Sequence, residues 1–472
     1  MNDQKKWFQA TAIFGPFFAM LISLLFLQVP SASAIPSYAR QTGFPCKSCH
    51  YMPPELTPLG RAFKLNGYTM AGKPTVTSPG KGTTSGLNIL ESFPLSVLLD
   101  TSFTSLKSPE PNAQNGSFQL PQQSSLFLAG AWATHVGSFV QVTYTSQGDH
   151  FTWDNSDIRY ANATHLFNKD LAYGITINNN PTVEDLWNST PAWGYPWVSS
   201  DWAPGPTAGA IVNGGLAQDV AGLGGYAMWD NHLYLATTIY RSAHIGAPQP
   251  NTGLDGAGNA LPINIRGVAP YWRVAWQQNS KNNNLMVGTY GLHMKSTPGA
   301  VTGVEDGYTD YAFDFQDDLT IPQFKNDVLS MRGTYIRENS SLLATFNGGA
   351  GADLVQHHLN TIQANAEYHF GDKYAATIGW FDVDGTPDFT LYSGATLVGG
   401  VPTVPPLTGS ANGDPRSGGY IANVSWWPVQ NIGLSFQYTG YTRFNGAGTN
   451  YDGSGRNASS NNTVYLVARF VF

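Results

Sequence analysis

The residues whose types and spacing best suit chemistry lie in one short stretch near the start of the chain. The sequence "ARQTGFPCKSCHYMPPE" contains both cysteines of the 472 residues, Cys46 and Cys49, and His50 follows directly. A C-x-x-C-H spacing is typical of c-type haem attachment, in which both thiols bond the porphyrin edge and the adjacent histidine binds the iron. A redox-active dithiol would lie near a βαβ unit and a zinc site would need a fourth ligand, and the segment offers neither. The motif therefore predicts one covalently bound haem c.

The far side of the iron has several candidate ligands. Met70 ends the segment, and methionine ligation would raise the reduction potential of the haem. Met52 is too close to His50 in the sequence to reach across the ring. His293 and His369 occupy strand positions that we predict to face inward, and they stay open as alternatives. We take Met70 as the predicted distal ligand.

The start of the chain predicts export. Lys5 and Lys6 precede an apolar run from Trp7 to Val29, and small residues follow at 31–34. This order is typical of a secretory signal peptide, here residues 1–34, with cleavage after Ala34. The run is also about as long as a membrane-spanning helix, so an uncleaved anchor is the alternative.

The composition excludes several classes of protein. The net charge is −7, and no Lys/Arg stripe is present, so we expect no nucleic-acid partner. Charged residues make up only 12% of the chain, against roughly a quarter in ordinary soluble domains. Two cysteines in an exported chain of this length do not form a disulfide scaffold.

Most of the chain alternates between apolar and polar residues with a period of two. In "TIQANAEYHF" the apolar side chains occupy the even positions 362–370 and the polar ones the odd positions. Such strands have one apolar and one polar face. A soluble sandwich would turn the apolar face to its core, whereas an outer-membrane barrel would turn it to lipid. Periodicity alone does not separate the two.

The lengths of the connections favour the barrel. Residues 88–472 divide into about sixteen strands of about ten residues, an even number as bacterial barrels require. Short connections lie near 136–138, 168–170, 230–231, 280–284, 322–326, 371–373 and 428–430, and long ones cover about 106–122, 148–155, 180–217, 243–266, 297–306, 339–356, 385–417 and 445–461. Short periplasmic turns and long external loops are the expected asymmetry of a barrel, and the chain ends on an aromatic residue, Phe472. We therefore predict an all-β fold, a transmembrane antiparallel β-barrel in the bacterial outer membrane.

The haem segment, residues 35–70, is too short to enclose a haem alone. Its stretch "LTPLGRAFKLNGYTM" predicts a helix, and residues 71–87, rich in Gly, Pro, Ser and Thr, predict a flexible linker. The barrel lumen is the large cavity that could complete the haem site. We expect a short α-helical c-type haem segment that plugs or caps the lumen.

Charged residues of the longest loop and of one strand are candidates for the pore. The loop sequence "VEDLWNSTPAWGYPWVSSDW" carries four tryptophans together with Glu184, Asp185 and Asp201. Either the loop packs on itself at the rim, or it folds into the lumen and its carboxylates meet cations such as iron. Asp157 and Arg159 share the inward face of one strand and could form an ion pair there.

The stretch "PSYARQTGFPCKSCHYMPPELTPLGRAFKLNGYTM" resembles the start of the outer-membrane monohaem cytochrome–porin fusions of iron-oxidising bacteria. The specific matches are "ARQTG" before the haem motif and "GRAFKLNGY" after it. The resemblance implies oxidation of extracellular Fe(II), with the electron passed through the single haem to a periplasmic c-type cytochrome or copper protein. Cys46, Cys49 and His50 carry over directly, and no other site residue does.

Two further functions stay open at this point. One is a haem-bearing electron conduit that serves another donor or works in the reverse direction. The other, from a different class, is a small-solute porin in which the haem segment is a structural plug. The sequence does not decide the oligomeric state.

Overall fold

The computed structural model describes residues 35–70, 94–110, 113–146, 148–187, 198–243, 263–298, 303–324, 327–348, 351–398 and 401–472. The predicted signal peptide, residues 1–34, and the predicted linker, residues 71–87, lie outside these ranges.

Sixteen antiparallel strands of the described residues close into one barrel, which confirms the predicted architecture. The strands are β1 (Leu95–Leu106), β2 (Ser117–Ala133), β3 (Val136–Thr145), β4 (His150–Leu166), β5 (Lys169–Asn178), β6 (Val220–Trp229), β7 (Leu233–Ser242), β8 (Ala269–Asn279), β9 (Asn283–Ser296), β10 (Asp306–Ile321), β11 (Asp327–Ser341), β12 (Gln356–Phe370), β13 (Tyr374–Gly385), β16 (Ser417–Val429), β17 (Ile432–Arg443) and β18 (Thr463–Val471). A separate hairpin of β14 (Thr396–Val398) and β15 (Val401–Thr403) lies in the connection from β13 to β16. Each barrel strand pairs with its neighbours in the chain, and β1 pairs with β18 to close the barrel.

The outer face of the barrel is apolar and the inner face is polar over much of the wall. On β10, Tyr311, Phe313 and Phe315 point outward and are 50%, 62% and 42% exposed. Asp310 and Asp314 alternate with them and are buried on the inside. A soluble sandwich would bury the aromatic face, so this distribution is that of a barrel whose exterior contacts lipid.

The two ends of the barrel differ. Seven tight turns join strands at one end, which we call the short-turn end; the longer connections lie at the other, the long-loop end. The two ends of the barrel sequence meet at the short-turn end, where Val97 N donates to Phe472 O at 2.7 Å. The alternation of short and long connections follows the prediction except between β3 and β4. The long connection predicted over about 148–155 is wrong, because β3 ends at Thr145 and β4 already begins at His150.

The segment 35–70 lies inside the barrel near its short-turn end. It contains three short helices, α1 (Pro36–Thr42), α2 (Cys46–Cys49) and α3 (Pro58–Leu65). Tyr38 Oη donates to Ser138 O on β3 at 2.6 Å, and Arg61 Nη1 donates to Asp318 Oδ2 on β10 at 3.0 Å. Cys46 N donates to the side chain of Gln430 in the turn between β16 and β17 at 3.0 Å. Contacts to such widely separated strands mean that the segment crosses the lumen.

The connection from β5 to β6 also enters the lumen. It begins with α4 (Pro181–Glu184), and the buried Leu186 and Trp187 then pack in one cluster with Leu65 of the segment 35–70, the predicted haem segment. Two irregular turns follow at Ile211–Gly215, with non-helical backbone at Asn213 and Gly214. The remaining short helices are α5 (Leu343–Asn347), α6 (Phe389–Tyr392) and the 3₁₀ turns Pro322–Phe324 and Ala458–Asn461. Of the helices in the described ranges, none is long and apolar enough to cross a membrane.

Candidate functional site

Cys46, Cys49 and His50 line a single cavity inside the barrel. Both cysteines are free thiols, and one turn of helix separates them, with His50 N donating to Cys46 O at 2.9 Å. The cavity has a volume of about 470 Å³, which falls in the range of roughly 300–1,000 Å³ typical of small-molecule and cofactor sites. The segment alone does not enclose this space.

Three parts of the chain build the walls of the cavity. The haem segment contributes apolar and aromatic side chains around the motif, and the barrel wall contributes others from β1 to β3. The connection from β5 to β6 completes the enclosure. The apolar and aromatic lining residues include Ile35, Tyr38, Phe63, Leu98, Phe127, Phe139, Val183 and Val198. The lining also includes polar and charged side chains, among them Gln122, Gln141, Asp154 and Arg469. Apolar walls with polar groups at particular points suit a flat cofactor that has an apolar body and polar substituents.

The geometry around His50 suits a metal ligand. His50 Nδ1 lies 3.2 Å from Glu55 O, so the Nδ1 proton is donated to this carbonyl and Nε2 is left without a proton. Burial lowers the pKa of His50 to about 4, against the opposing effect of its hydrogen bonds to the Glu55 and Pro54 carbonyls. The imidazole is therefore neutral, the form that binds metals. Two thiols and a neutral imidazole on one cavity fit a c-type haem.

Close packing of α3 on α2 holds the motif in place. A side chain at Gly60 would overlap the carbonyl oxygen of Cys49, so this position admits only glycine. Thr57, the residue before α3, donates its hydroxyl to Ser48 O at 2.6 Å and its backbone N–H to Cys49 O at 2.9 Å. Sequence reasoning did not single out Gly60, although it lies in the "GRAFKLNGY" stretch that carried the resemblance.

The candidate distal ligands lie outside the cavity that Cys46, Cys49 and His50 line. Met70 packs beside an aromatic cluster that includes Phe63 and Phe127, and among the described residues that line the cavity neither Met70 nor Met52 occurs. Met52 instead lines a smaller neighbouring cavity. His369 faces the lumen as predicted, but its ring nitrogen Nε2 points to carboxylates.

The inward orientation predicted for His293 is wrong. His293 is exposed on the outer face, where its Nδ1 lies 2.9 Å from Thr309 Oγ1. Its neighbours Leu292 and Met294 face inward and are buried. The rule that apolar residues face lipid fails here because the long-loop half of the lumen holds an apolar cluster, to which the inward-folded residues around Val212 contribute.

Four of the predicted pore residues form one buried network. Arg159 Nε lies 2.6 Å from Asp157 Oδ2, and Arg159 Nη2 donates to Glu184 O at 2.5 Å. Lys64 of the haem segment donates to Asp185 O at 2.6 Å. Burial raises the pKa of Glu184, whose carboxylate accepts hydrogen bonds from neighbouring strands. All four side chains are almost fully buried, so they join the wall, the loop and the haem segment instead of facing solvent.

Asp201 has a different position. Of the five predicted pore residues, all of them within the described ranges, it alone lines the cavity beside Cys46, Cys49 and His50. Burial raises its pKa above the ordinary value. Asp201 lies within the connection from β5 to β6, one of the connections of the long-loop end.

A second group of potential ligands lies next to the motif and was not predicted as a group. Glu55, Glu367 and His369 bring ligand atoms within 4.8 Å of one another. The alternation in β12 indicated that Glu367 and His369 share the inward face. No sequence signal placed Glu55 beside them.

No model of a known protein family matches the sequence, and a search of curated proteins finds no match either. Among solved structures, the chain is similar to OmpT, an outer membrane protein of Vibrio cholerae, with 10% identity and a TM-score of 0.40 over 80% of this chain and 96% of that one. It is similar to the outer membrane channel DcaP of Acinetobacter baumannii, with 10% identity and a TM-score of 0.44 over 80% and 96%. It is also similar to an anion-selective porin from Comamonas acidovorans, with 10% identity and a TM-score of 0.44 over 80% and 98%.

Proposed function

We propose that this protein is an outer-membrane c-type cytochrome that oxidises extracellular Fe(II) and passes the electron through one haem to a periplasmic c-type cytochrome or copper protein. The observation that carries the proposal is the convergence of Cys46, Cys49 and His50 on one cavity within the lumen of a lipid-facing barrel. A bilayer is an insulator, so a redox centre must lie inside a protein that crosses it. The substrate follows from the resemblance of the haem segment to iron-oxidising proteins.

A haem in this cavity would be held by thioether bonds to Cys46 and Cys49 and by His50 Nε2, and it would supply a one-electron redox centre. The protein's own groups have separate tasks. Glu55 O fixes the tautomer and the orientation of the His50 ring. The apolar side chains of the wall would cover part of the haem, and the degree of burial is one of the factors that set a haem potential.

The two sides of the cavity suit the two partners. Asp201 offers a carboxylate, a hard oxygen donor of the kind that Fe(II) accepts, on the side that faces the long-loop end. On the opposite side the haem segment reaches the rim of the short-turn end, where Lys47 forms an exposed ion pair with Asp372. Short turns of bacterial barrels face the periplasm, so this rim is the surface that an electron acceptor would meet.

The alternative of a small-solute porin shares the barrel architecture of this chain, and the side chains inside the described barrel bear on it. Arg159 and Arg273 are fully buried inside the described barrel, and Leu186 and Trp187 pack between the wall and the haem segment. A solute channel needs a continuous aqueous path past such groups. We therefore expect little solute flux through the intact protein.

Anaerobic mixing of the purified ferric protein with Fe(II) tests the proposal. We expect the absorption spectrum to change to that of ferrous haem with one electron taken up per chain, and Asp201→Asn to slow this step while leaving reduction by dithionite unchanged. Rapid reduction by dithionite without any reduction by Fe(II) would exclude Fe(II) oxidation and leave a conduit for another donor. Solute flux at porin rates through reconstituted protein would favour the porin.

A further inference from the structure

Glu55, Glu367 and His369 meet at the junction between the haem segment and the barrel wall. Glu55 lies between α2 and α3, while Glu367 and His369 lie two positions apart on the inward face of β12. All three side chains are almost fully buried. The place is near the short-turn end, because β12 ends at Phe370.

The separations of the three ligand atoms match those of a metal site. His369 Nε2 lies 3.2 Å from Glu55 Oε2 and 3.3 Å from Glu367 Oε1. With metal–ligand bonds of about 2.1 Å, two ligand atoms lie about 3.0 Å apart at a right angle and about 3.4 Å apart at the tetrahedral angle. The two observed distances fall between these values, and all three ligand atoms lie within 4.8 Å of one another, so they are close enough to share one ion.

Three buried polar atoms at this junction have no well-formed hydrogen bond among the described residues. They are Glu55 Oε2 and the two ring nitrogens of His369, of which Nε2 lies 3.2 Å from Glu55 Oε2. Buried polar atoms are normally paired, and a bound ion is one of the explanations for atoms that are not. The other oxygen of Glu55, Oε1, accepts from Arg332, which fixes the carboxylate with Oε2 turned toward His369.

The charges around the cluster favour a cation. The carboxylates of Glu55, Glu367 and Asp318 face the guanidinium groups of Arg61 and Arg332. Three negative and two positive charges leave one negative charge when all three carboxylates are ionised and His369 is neutral. A protonated His369 would also balance this charge, and it is the arrangement against which the metal must be tested.

We propose that Glu55, Glu367 and His369 bind a divalent first-row transition-metal ion that ties the haem segment to β12. One imidazole and two carboxylates form a mixed donor set suited to Fe(II), Mn(II) or Zn(II). Because one ligand comes from the haem segment and two from the wall, the ion holds the segment in the lumen. By binding the Glu55 side chain, the ion also restricts the motion of the Glu55 backbone, whose carbonyl accepts a hydrogen bond from His50. This proposal does not depend on Fe(II) oxidation.

Zinc binding by the intact protein tests the site. The full-length holoprotein, without a histidine tag, is stripped with a chelator and dialysed against Zn(II), and the bound metal is counted per chain. We expect wild type to bind one more Zn(II) than Glu367→Gln or His369→Asn, with an affinity for this ion at least about tenfold above that of either variant. Zn(II) should also raise the unfolding temperature of wild type more than that of the two variants.

The matched control is Glu338→Gln, which changes another buried carboxylate on the neighbouring strand β11 and should bind Zn(II) as wild type does. Covalent haem content and gel mobility of the unheated barrel establish that each variant is folded and loaded. Equal Zn(II) stoichiometry and affinity in wild type and in both ligand variants would overturn the proposal and leave a protonated His369 paired with carboxylates. Failure of Fe(II) to reduce the haem would not affect this result.

Discussion

Gly60 determines how closely two helices of the haem segment approach each other. Its Cα faces the Cys49 carbonyl at the end of α2, and Thr57 adds two hydrogen bonds to the same turn. The position of both cysteines relative to His50 therefore depends on the absence of a side chain at residue 60. Thioether formation needs both sulfurs at one porphyrin edge, so small shifts of α2 matter.

Gly60→Ala should reduce covalent haem attachment. The added methyl group forces α3 away from α2, and such overpacking costs about 1–3 kcal/mol. Haem absorbance per folded barrel measures the effect. Gly205→Ala is the control, because a side chain there meets nothing within 4 Å. Full haem attachment in Gly60→Ala would mean that the α2–α3 contact does not position the motif.

Lys64 should make stability depend on pH. Burial lowers its pKa to about 7 from the ordinary value of 10.5, and the charge of Arg159 adds to this effect. Between pH 7 and pH 10.5 the unfolded state therefore binds more protons than the folded state, so the contribution of this lysine to stability rises with pH across that window. Below pH 7 Lys64 is protonated in both the folded and the unfolded protein, so its contribution to stability no longer changes with pH.

Thermal unfolding of Lys64→Met measures this dependence. Relative to the variant, wild type should gain stability steadily from pH 7 to pH 10. Other ionisable groups cancel in the difference between the two proteins. A difference that stays flat across this range would show that Lys64 keeps its ordinary pKa in the folded protein.

At the scale of elements, the strands were predictable from the sequence. The packing of apolar side chains inside the barrel near its long-loop end was not. Alternation and connection length indicated all sixteen strands because lipid and lumen impose opposite demands on the two faces. His293 was assigned to the wrong face because apolar residues there pack against a loop that enters the lumen. Glu55 could not be placed because Arg332, its partner on β11, lies 277 positions away in the sequence.

Asp310 holds that loop in the lumen. Its Oδ2 accepts from Val212 N at 2.7 Å, and Glu338 accepts from Ile211 N at the same distance. Asp310→Ala leaves a buried N–H without its acceptor, at a cost of about 1–3 kcal/mol. Hydrogen exchange of residues 211–216 should accelerate by about tenfold or more. Tyr311→Phe, on the outward face, should leave exchange unchanged; equal exchange in both variants would contradict the anchoring role.

At the scale of the whole molecule, the barrel and its contents have separate roles. Closure rests on backbone pairing between β1 and β18, which does not involve residues 35–70. The haem segment and the connection from β5 to β6 meet inside the wall and fill it. The barrel thus supplies the enclosure that a segment of this length lacks, and the resemblance that pointed to the haem motif could not show which wall residues complete the cavity.

Removal of residues 35–70 should empty the part of the lumen near the short-turn end, while the connection from β5 to β6 stays in place. The barrel is expected to close without these residues and to conduct more in planar bilayers than the intact protein, for which we expect little conductance. The point variant Gly205→Ala, which leaves the segment in place, should behave as the intact protein. High conductance of the intact protein would contradict a lumen that is blocked by its own chain.

The central claim is that one haem is bound covalently to Cys46 and Cys49 within the folded barrel. The protein is expressed in cells equipped for c-type haem attachment and then purified. Pyridine haemochrome absorbance measures the amount of haem per chain, and mass spectrometry of the peptides shows where the haem is attached. The account predicts one haem per chain, on the peptide that contains both cysteines, and none in Cys46→Ser/Cys49→Ser. A folded wild-type barrel that carries no covalent haem would contradict it.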